Sequence, residues 1–262
     1  MREHYLTLNV SRVDERVLLV ALNRPEFRNA INAKMMEELC GLWTSLRTTT
    51  EVACVILTGQ GEAFCAGADL KERNGMTVEV WREQHAILEK AMKAMIECPI
   101  PVLAAVNGAA LGGGLEFVLG SDFAYASVEA TFAMPETSIG IMPGAMGTQN
   151  LPRACGTRRA KEICFTGRRF SASEALEWGI VNKICKADEL IDEIMRVAQA
   201  IGRKAPLAIH QVKQAINAAD QLDLFTGYGV ELEAYNKVLV TKDRDEGIRA
   251  FNEKRAPHFT GS

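Results

Sequence analysis

The chain has no apolar run that approaches the length of a membrane-spanning helix, and no C-x-x-C pair. It carries no low-complexity tract, no flexible linker and no internal repeat visible in the sequence. Its net charge is only -3 over 262 residues. Each absence excludes something. A helix spans a bilayer only with ~20 successive apolar residues. Without a dense Lys/Arg stripe, a dedicated nucleic-acid binder is not expected, and no acidic tail offers a charge-driven arm. The N-terminal Met1-Arg2-Glu3-His4-Tyr5 lacks both the apolar core of a signal peptide and the Arg-rich, acid-poor character of a transit peptide. The cysteines number seven, an odd count, and lie scattered at 40, 54, 65, 98, 155, 164 and 185. They are expected as reduced thiols of a cytoplasmic protein rather than as a disulfide framework or zinc site. What remains is 48% hydrophobic and 24% charged. That is ordinary globular composition, long enough for one large domain or a domain with an appendage.

Strand and helix signals alternate through the first half of the chain. Residues 6–10 alternate with period two, 17–22 form a short apolar run, and Asp14-Glu15 suits a hairpin between them. Over 31–46, Met35, Leu39, Leu42 and Leu46 share one helical face. A buried strand over 52–58 closes on Gly59-Gln60-Gly61. The helix over 80–96 presents Ala91, Met92 and Met95 on one stripe and stops before Pro99. Strands follow over 102–106 and 123–126, with a short helix opened by Gly112-Gly113-Gly114 between them. Alternation of this kind predicts an α/β fold with crossover connections. From 157 onward helices dominate, with Ser171 and Glu174 spaced as a capping box. The division expected is a core over 1–197 and a helical region over 198–262.

Three segments break this regularity. Phe64-Cys65-Ala66-Gly67-Ala68-Asp69-Leu70-Lys71 follows a buried strand. Asp69 is placed to cap a helix there, and the small residues before it leave backbone N–H groups open to a ligand. An ordinary capped turn accounts for this segment equally well. Cys65 lies in the same turn as a candidate nucleophile, but with no partner nearby in sequence core packing is the better reading. Gly112-Gly113-Gly114-Leu115-Glu116 exposes donors at a second helix entrance. It is not a phosphate loop: G-x-x-x-x-G-K-[ST] is missing, and Phe117 stands where G-x-G-x-x-G needs its last glycine. Glu116 in a first helical turn also gains simply from the helix dipole. The third segment, residues 134–147, is a Gly/Pro-punctuated loop in which Glu136 sits among apolar neighbours. Burial there raises its pKa, whereas exposure leaves it an ordinary loop glutamate. Together the segments supply N–H donors at two helix entrances and two carboxyls. That set suits a reaction in which an oxyanion forms while protons move nearby.

In this order the segments closely resemble the enoyl-CoA hydratase/isomerase family, the crotonase superfamily. The likeness runs from Leu22-Asn23-Arg24-Pro25 and Asn29-Ala30 to Lys242-Asp243-Arg244-Asp245-Glu246-Gly247. It implies a spiral of ββα units with a helical C-terminal region that forms trimers, often stacked as hexamers. It implies an acyl-CoA substrate and no metal or cofactor, the thioester itself being the electron sink. The N–H groups of Ala68 and Gly113 fall on the positions that bind the thioester oxygen. Glu116 and Glu136 fall on the family's two acid/base positions. Glu116 is assigned as base towards water and Glu136 as acid towards Cα, with the reverse split open. Ala66, Asp69, Leu70, Gly112 and Gly144 fall in the substrate-binding segments, Gly144 on the water side. Arg24 and the 25–28 turn resemble the region that meets the CoA adenine and diphosphate. Lys71 matches a position near the nucleotide, although a solvated surface charge accounts for it as well. Glu26, Met146 and Asn150 depart from residues common among relatives, which carry lysine, glycine and arginine there.

The two matched glutamates favour hydration of a 2-enoyl-CoA over the alternative of moving the double bond between positions 2 and 3. The run from Cys65 to Arg73, with Glu253-Lys254-Arg255, looks like hydratases that act on methylglutaconyl-CoA. A non-catalytic or RNA-binding relative is the alternative from another class. It is opposed by the net charge and by the presence of both glutamates. Acyl specificity is expected to depend on loop residues such as Met142 and Met146. His4, His85, His210 and His258 are expected to be structural or surface residues.

Overall fold

The fold, seen in a computed structural model, is described over residues 4–219 and 221–262. A hairpin of β1 (Leu8–Asp14) and β2 (Val17–Leu22) opens it. After it come α1 (Ala33–Leu46), β3 (Cys54–Gly59), β4 (Ala63–Cys65), the one-turn α2 (Leu70–Arg73) and α3 (Val78–Ile96). The middle of the chain holds β5 (Val102–Val106), β6 (Ala109–Leu111), α4 (Gly113–Gly120), β7 (Phe123–Ser127), β8 (Thr131–Ala133), α5 (Gly147–Cys155) and α6 (Thr157–Thr166). Next are β9 (Phe170–Ser171), α7 (Ala172–Glu177) and β10 (Lys183–Cys185). Four helices close the chain: α8 (Leu190–Gly202), α9 (Pro206–Ala219), α10 (Leu224–Leu239) and α11 (Lys242–Asn252).

The strands form two sheets, ordered β1-β2-β3-β5-β7-β10 and β4-β6-β8-β9. Three times in succession the chain gives one strand to the large sheet and the next to the small one, then enters a helix. The units are β3-β4-α2, β5-β6-α4 and β7-β8-α5. This is the ββα spiral that the resemblance implied. Within each sheet the repeated strands pair in parallel. Parallel strands buried on both faces read as unbroken apolar runs, and β3 shows why. Val55 and Leu57 face the main core with α1, while Cys54 and Ile56 face a second core with Leu190, Ile194 and Ala198 of α8.

Local chemistry fixes the helices where the spacing predicts them. In α1, Met35, Leu39, Leu42 and Leu46 are all buried, and the Asn32 side chain caps the helix by accepting the Met35 N–H at 2.9 Å. The Ser171/Glu174 capping box of α7 is present. The boundary expected between residues 197 and 198 falls inside α8, which stays in the second core through Ala198. α9 and α10 pack on each other and leave Ile216, Leu224, Phe225 and Tyr235 exposed. Among the described residues no helix is long and apolar enough to cross a membrane.

Candidate active site

Parallel pairing of β4 with β6 sets Cys65 opposite Ala110, so the chain leaves both strands at the same end. Beyond β4 it makes the Ala66-Gly67-Ala68 turn. Asp69 then caps α2 by accepting N–H bonds from Lys71 and Glu72 at 3.1 and 3.2 Å. Beyond β6, Gly112 turns the chain into α4. The two turns touch. Gly67 has φ +89, and a Cβ there would lie 2.8 Å from the Leu111 carbonyl oxygen. Only glycine accepts both the backbone angle and the approach. Ile31 braces the first turn from the side: its N–H donates to the Gly67 carbonyl at 2.8 Å, and its carbonyl accepts from Asp69 N–H at 2.9 Å. The Ala68 N–H between them, and the Gly113 N–H at the start of α4, meet no acceptor among the described residues. Both residues line one cavity of about 720 Å³.

Glu116 and Glu136 line the same cavity but are held differently. Glu116 is 3% exposed. Its Oε1 accepts the N–H groups of Ala145 and Gly147 at 2.7 and 2.8 Å. Those two bonds fix the carboxylate plane and leave Oε2 on the side of Gly113. Gly147 has to be glycine, since a Cβ would stand 2.7 Å from Glu116 Oε1. Burial raises the Glu116 pKa, while the two N–H bonds and the charge of Arg73 oppose the rise. Glu136 sits on a one-turn 3-10 segment, Glu136–Ile139. Its Oε1 lies close to Gly112, where a Cβ would come within 2.6 Å, and its Oε2 is buried with no hydrogen-bond partner among the described residues. Burial pushes the Glu136 pKa up to about 7, opposed by its own backbone N–H and reinforced by the charge on Glu116. One carboxylate is thus pinned by donors and the other is kept ready to hold a proton. Such a divided pair is the arrangement that acid/base chemistry near neutral pH needs.

Of the residues expected to bind substrate, Ala66, Leu70, Gly112 and Gly144 line the cavity. Arg24, Asp69 and Lys71 are not among its lining residues. The Arg24 guanidinium is occupied within the protein: it pairs with Asp69 at 2.9 Å and stacks on Phe27, 4.6 Å from the ring centroid. Asn29 completes that brace. It is fully buried, and its side chain donates to the carbonyls of Gln60 and Ala63 and accepts the Arg24 N–H. Lys71 and Glu26 are exposed. Cys65 is a core residue: its thiol donates to the Asn29 carbonyl, and burial pushes its pKa up to about 12.

The loop residues divide. Met142 lines the cavity, but Met146 does not, so the expectation that both shape the acyl pocket holds only for the first. Met146 instead occupies the left-handed corner, φ 69, between the two residues whose N–H groups hold Glu116. A side chain costs about 1 kcal/mol there relative to glycine. Asn150 lies on α5 and faces a different groove. His85 also departs from expectation. It lines the cavity against Gly144 and pairs with Glu89 at 3.2 Å. Arg73, Trp81 and Arg82 line the cavity as well. Trp81, His85 and Leu88 repeat at helical spacing, so a second stripe beside the Ala91/Met92/Met95 face was there to be read.

Known proteins give the chain its family. The model of the enoyl-CoA hydratase/isomerase family matches residues 12–262. A Bacillus subtilis protein described as a putative enoyl-CoA hydratase/isomerase is 43% identical over 249 residues, which is 95% of this chain and 96% of the relative. The short-chain-enoyl-CoA hydratase of Clostridium acetobutylicum is 39% identical, covering 92% of each chain. The crystal structure of an enoyl-CoA hydratase from Bacillus anthracis superposes with a TM-score of 0.96 at 42% identity, over 98% of this chain and 100% of that one. The chain belongs to the enoyl-CoA hydratase/isomerase family.

Proposed function

We propose that this protein is an enoyl-CoA hydratase, reversibly adding water across the 2,3 double bond of a 2-enoyl-CoA thioester to give the 3-hydroxyacyl-CoA. The observation that carries the reading is the cavity itself. It joins two main-chain donors that are unpaired among the described residues to one pinned carboxylate and one carboxyl with a raised pKa. The thioester oxygen sits between the N–H groups of Ala68 and Gly113. Glu116 takes a proton from water as the water oxygen bonds to Cβ. The double-bond electrons move towards Cα and the thioester oxygen, where the two donors stabilise the enolate more than the ground state. Glu136 then gives its proton to Cα. The thioester is the electron sink, so this reading needs no cofactor and no metal. Gly144, on the cavity wall, lets the His85 ring close in on the water side, since a Cβ there would lie 2.5 Å from it.

Lys71, exposed beside the cavity-lining Leu70, is one cation this reading offers to the CoA phosphates, while Arg24 serves as the brace of the oxyanion turn. The exposed apolar face of α9 and α10 supports assembly as a trimer or hexamer. Seven free thiols suit a reducing compartment, the cytoplasm.

The test is loss of the conjugated enoyl-thioester absorbance of crotonyl-CoA. Wild type inactive on short, branched and medium 2-enoyl-CoAs alike would end the hydratase reading. The pH profile adds a sharper prediction. Glu136 works protonated, and its pKa is about 7. The kcat/KM should therefore fall as pH rises past ~7, tenfold per unit, because the proton donor is lost. The carboxyls titrate as a pair, so the limb belongs to the pair. A profile flat from pH 6 to 9 would show that Glu136 is not the acid.

A further inference from the structure

Ile31 meets both of the turns that carry the cavity's main-chain donors. Its backbone pairs with Ala68 as a single parallel bridge. The Ile31 N–H donates to the Gly67 carbonyl at 2.8 Å, and the Ile31 carbonyl accepts the Asp69 N–H at 2.9 Å. The Gly67 carbonyl and the Ala68 N–H belong to one peptide group. That group is planar and trans, so its carbonyl and its N–H point in opposite directions. With the carbonyl bound to Ile31, the Ala68 N–H is aimed away from Ile31. The Ile31 side chain reaches the second donor. It is buried and lines the cavity. A Cβ on Gly113 would lie 2.9 Å from Ile31 Cδ1, so that methyl fills the space a side chain at 113 would need.

Ile31 is itself held from both sides. Before it, Arg24 donates to the Ala30 carbonyl at 2.5 Å, and the Ala66 N–H donates to the Arg28 carbonyl at 3.0 Å. After it, Asn32 caps α1. Branching at Cβ restricts χ1, so Cδ1 has little freedom to leave Gly113. Core packing asks of an isoleucine only that it be buried. It does not ask that the N–H, the carbonyl and the terminal methyl all end on residues at or beside the two donors.

We propose that Ile31 is a positioning residue for hydration: it sets the separation of the two donors, holding Ala68 through its main chain and Gly113 through its side chain. The inference rests on the hydratase reading and adds a residue outside the acid/base pair and the donors themselves. Ile31 moves no proton and acts through Ala68 and Gly113. A displaced donor loses more in the transition state, where the thioester oxygen carries charge, than in the ground state. The loss therefore falls on kcat rather than on KM.

The experiment alters this side chain in the full chain and follows crotonyl-CoA. Ile31→Val deletes Cδ1 and should lower kcat on the order of 10-fold, with KM changed less than about twofold. Ile31→Leu restores the reach to Gly113 and should recover most of kcat. The control is Ile194→Val, which removes the same methyl from the second core beside α8. It should lower the melting temperature as Ile31→Val does and leave kcat as in wild type. An infrared readout separates aim from packing. Crotonyl-CoA labelled with carbon-13 at the thioester carbonyl is bound to the slow Glu116→Gln enzyme. The two donors should pull its carbonyl stretch below the value in water, and adding Ile31→Val should return part of that shift. A wild-type kcat in Ile31→Val overturns the proposal. So does a lower kcat with the carbonyl stretch unmoved, or an equal loss of kcat in Ile194→Val, either of which would leave Ile31 as core packing only. In each of these cases wild type still hydrates crotonyl-CoA, and this inference fails alone. Inactivity of wild type on every 2-enoyl-CoA sinks the hydratase reading, and this inference with it.

Discussion

Glu116→Gln should lower kcat for crotonyl-CoA hydration about 100- to 10,000-fold, and Glu136→Gln by a comparable factor. At position 116 the amide carbonyl of the variant still accepts the N–H groups that Glu116 Oε1 accepts from Ala145 and Gly147. The loop thus keeps its place, but an amide takes no proton from water. At 136 an amide imitates the shape of the neutral acid and has no acidic proton to give. Because the residues act as a unit, the double substitution should cost little more than the worse single one. An additive loss would mean that the two carboxyls work in separate steps.

Glu136→Gln carries a second expectation of opposite sign. The folded state holds the Glu136 proton up to about pH 7, against an ordinary value of 4.5. Between these values the unfolded chain loses its proton and the folded one keeps it. Wild-type stability from this group is therefore full below pH ~4.5 and lost as pH rises through ~7. The amide does not titrate. With a discount for partial exposure, Glu136→Gln should be about 1–2 kcal/mol more stable than wild type at pH 8, and no more stable at pH 4. Denaturant melts at the two pH values read this directly. A functional carboxyl held against its own solvation predicts such a trade.

Gly114→Ala should destabilise the protein by about 3 kcal/mol and abolish most activity. Helix propensity alone predicts the reverse, a gain of about 1 kcal/mol for alanine over glycine inside a helix. The contact decides. A Cβ on Gly114 would lie 2.2 Å from the Cys65 carbonyl oxygen and 2.8 Å from Cys65 Cβ. Neither atom can yield without moving β4. Relief requires α4 to draw away from β4, and α4 carries both the Gly113 donor and Glu116. Gly120→Ala, at the other end of the same helix, is the control. Its Cβ would meet the methyl ends of Met95 and Met92 at 2.8 and 3.0 Å, which can turn aside, and Ile96 Cγ1 at an ordinary 3.6 Å. It should lose far less of either property. If the two substitutions behave alike, the close approach of α4 to β4 is not what holds the site.

The sequence made the large sheet legible and the small one not. β3 and β5 are strands of six and five residues built on apolar runs, long enough for pattern to register. β4, β6 and β8 have three residues each, and the glycines flanking β4 and β6 read as turns. Three residues give no periodicity. Their pairing comes from parallel neighbours more than 20 positions away in the chain, such as Cys65 with Ala110. Asp69 as a helix cap was legible because capping is local chemistry. The pairing of Arg24 with Asp69 was not, since it spans 45 positions. The three segments at 64–71, 111–116 and 134–147 announced the two backbone turns and the two carboxyls that line the cavity. They did not announce α3 as the facing wall, because a helix that buries one stripe in the core looks complete. Its cavity flank, with Trp81 and His85, gains meaning only once α2 and the 141–147 loop are set against it.

The donors at Ala68 and Gly113 belong to the peptide chain itself, and this shifts where the enzyme is vulnerable to mutation. Exchanging the Ala68 side chain leaves its N–H intact. On the proposed reading the oxyanion hole fails instead through Gly67 and Gly114, whose missing Cβ lets two chain segments close up. Random mutagenesis scored on activity should therefore find intolerant positions clustered at these glycines, with Ala68 more permissive than they are. New acyl preferences can accumulate along α3 and the 141–147 loop while the enolate chemistry stays unchanged.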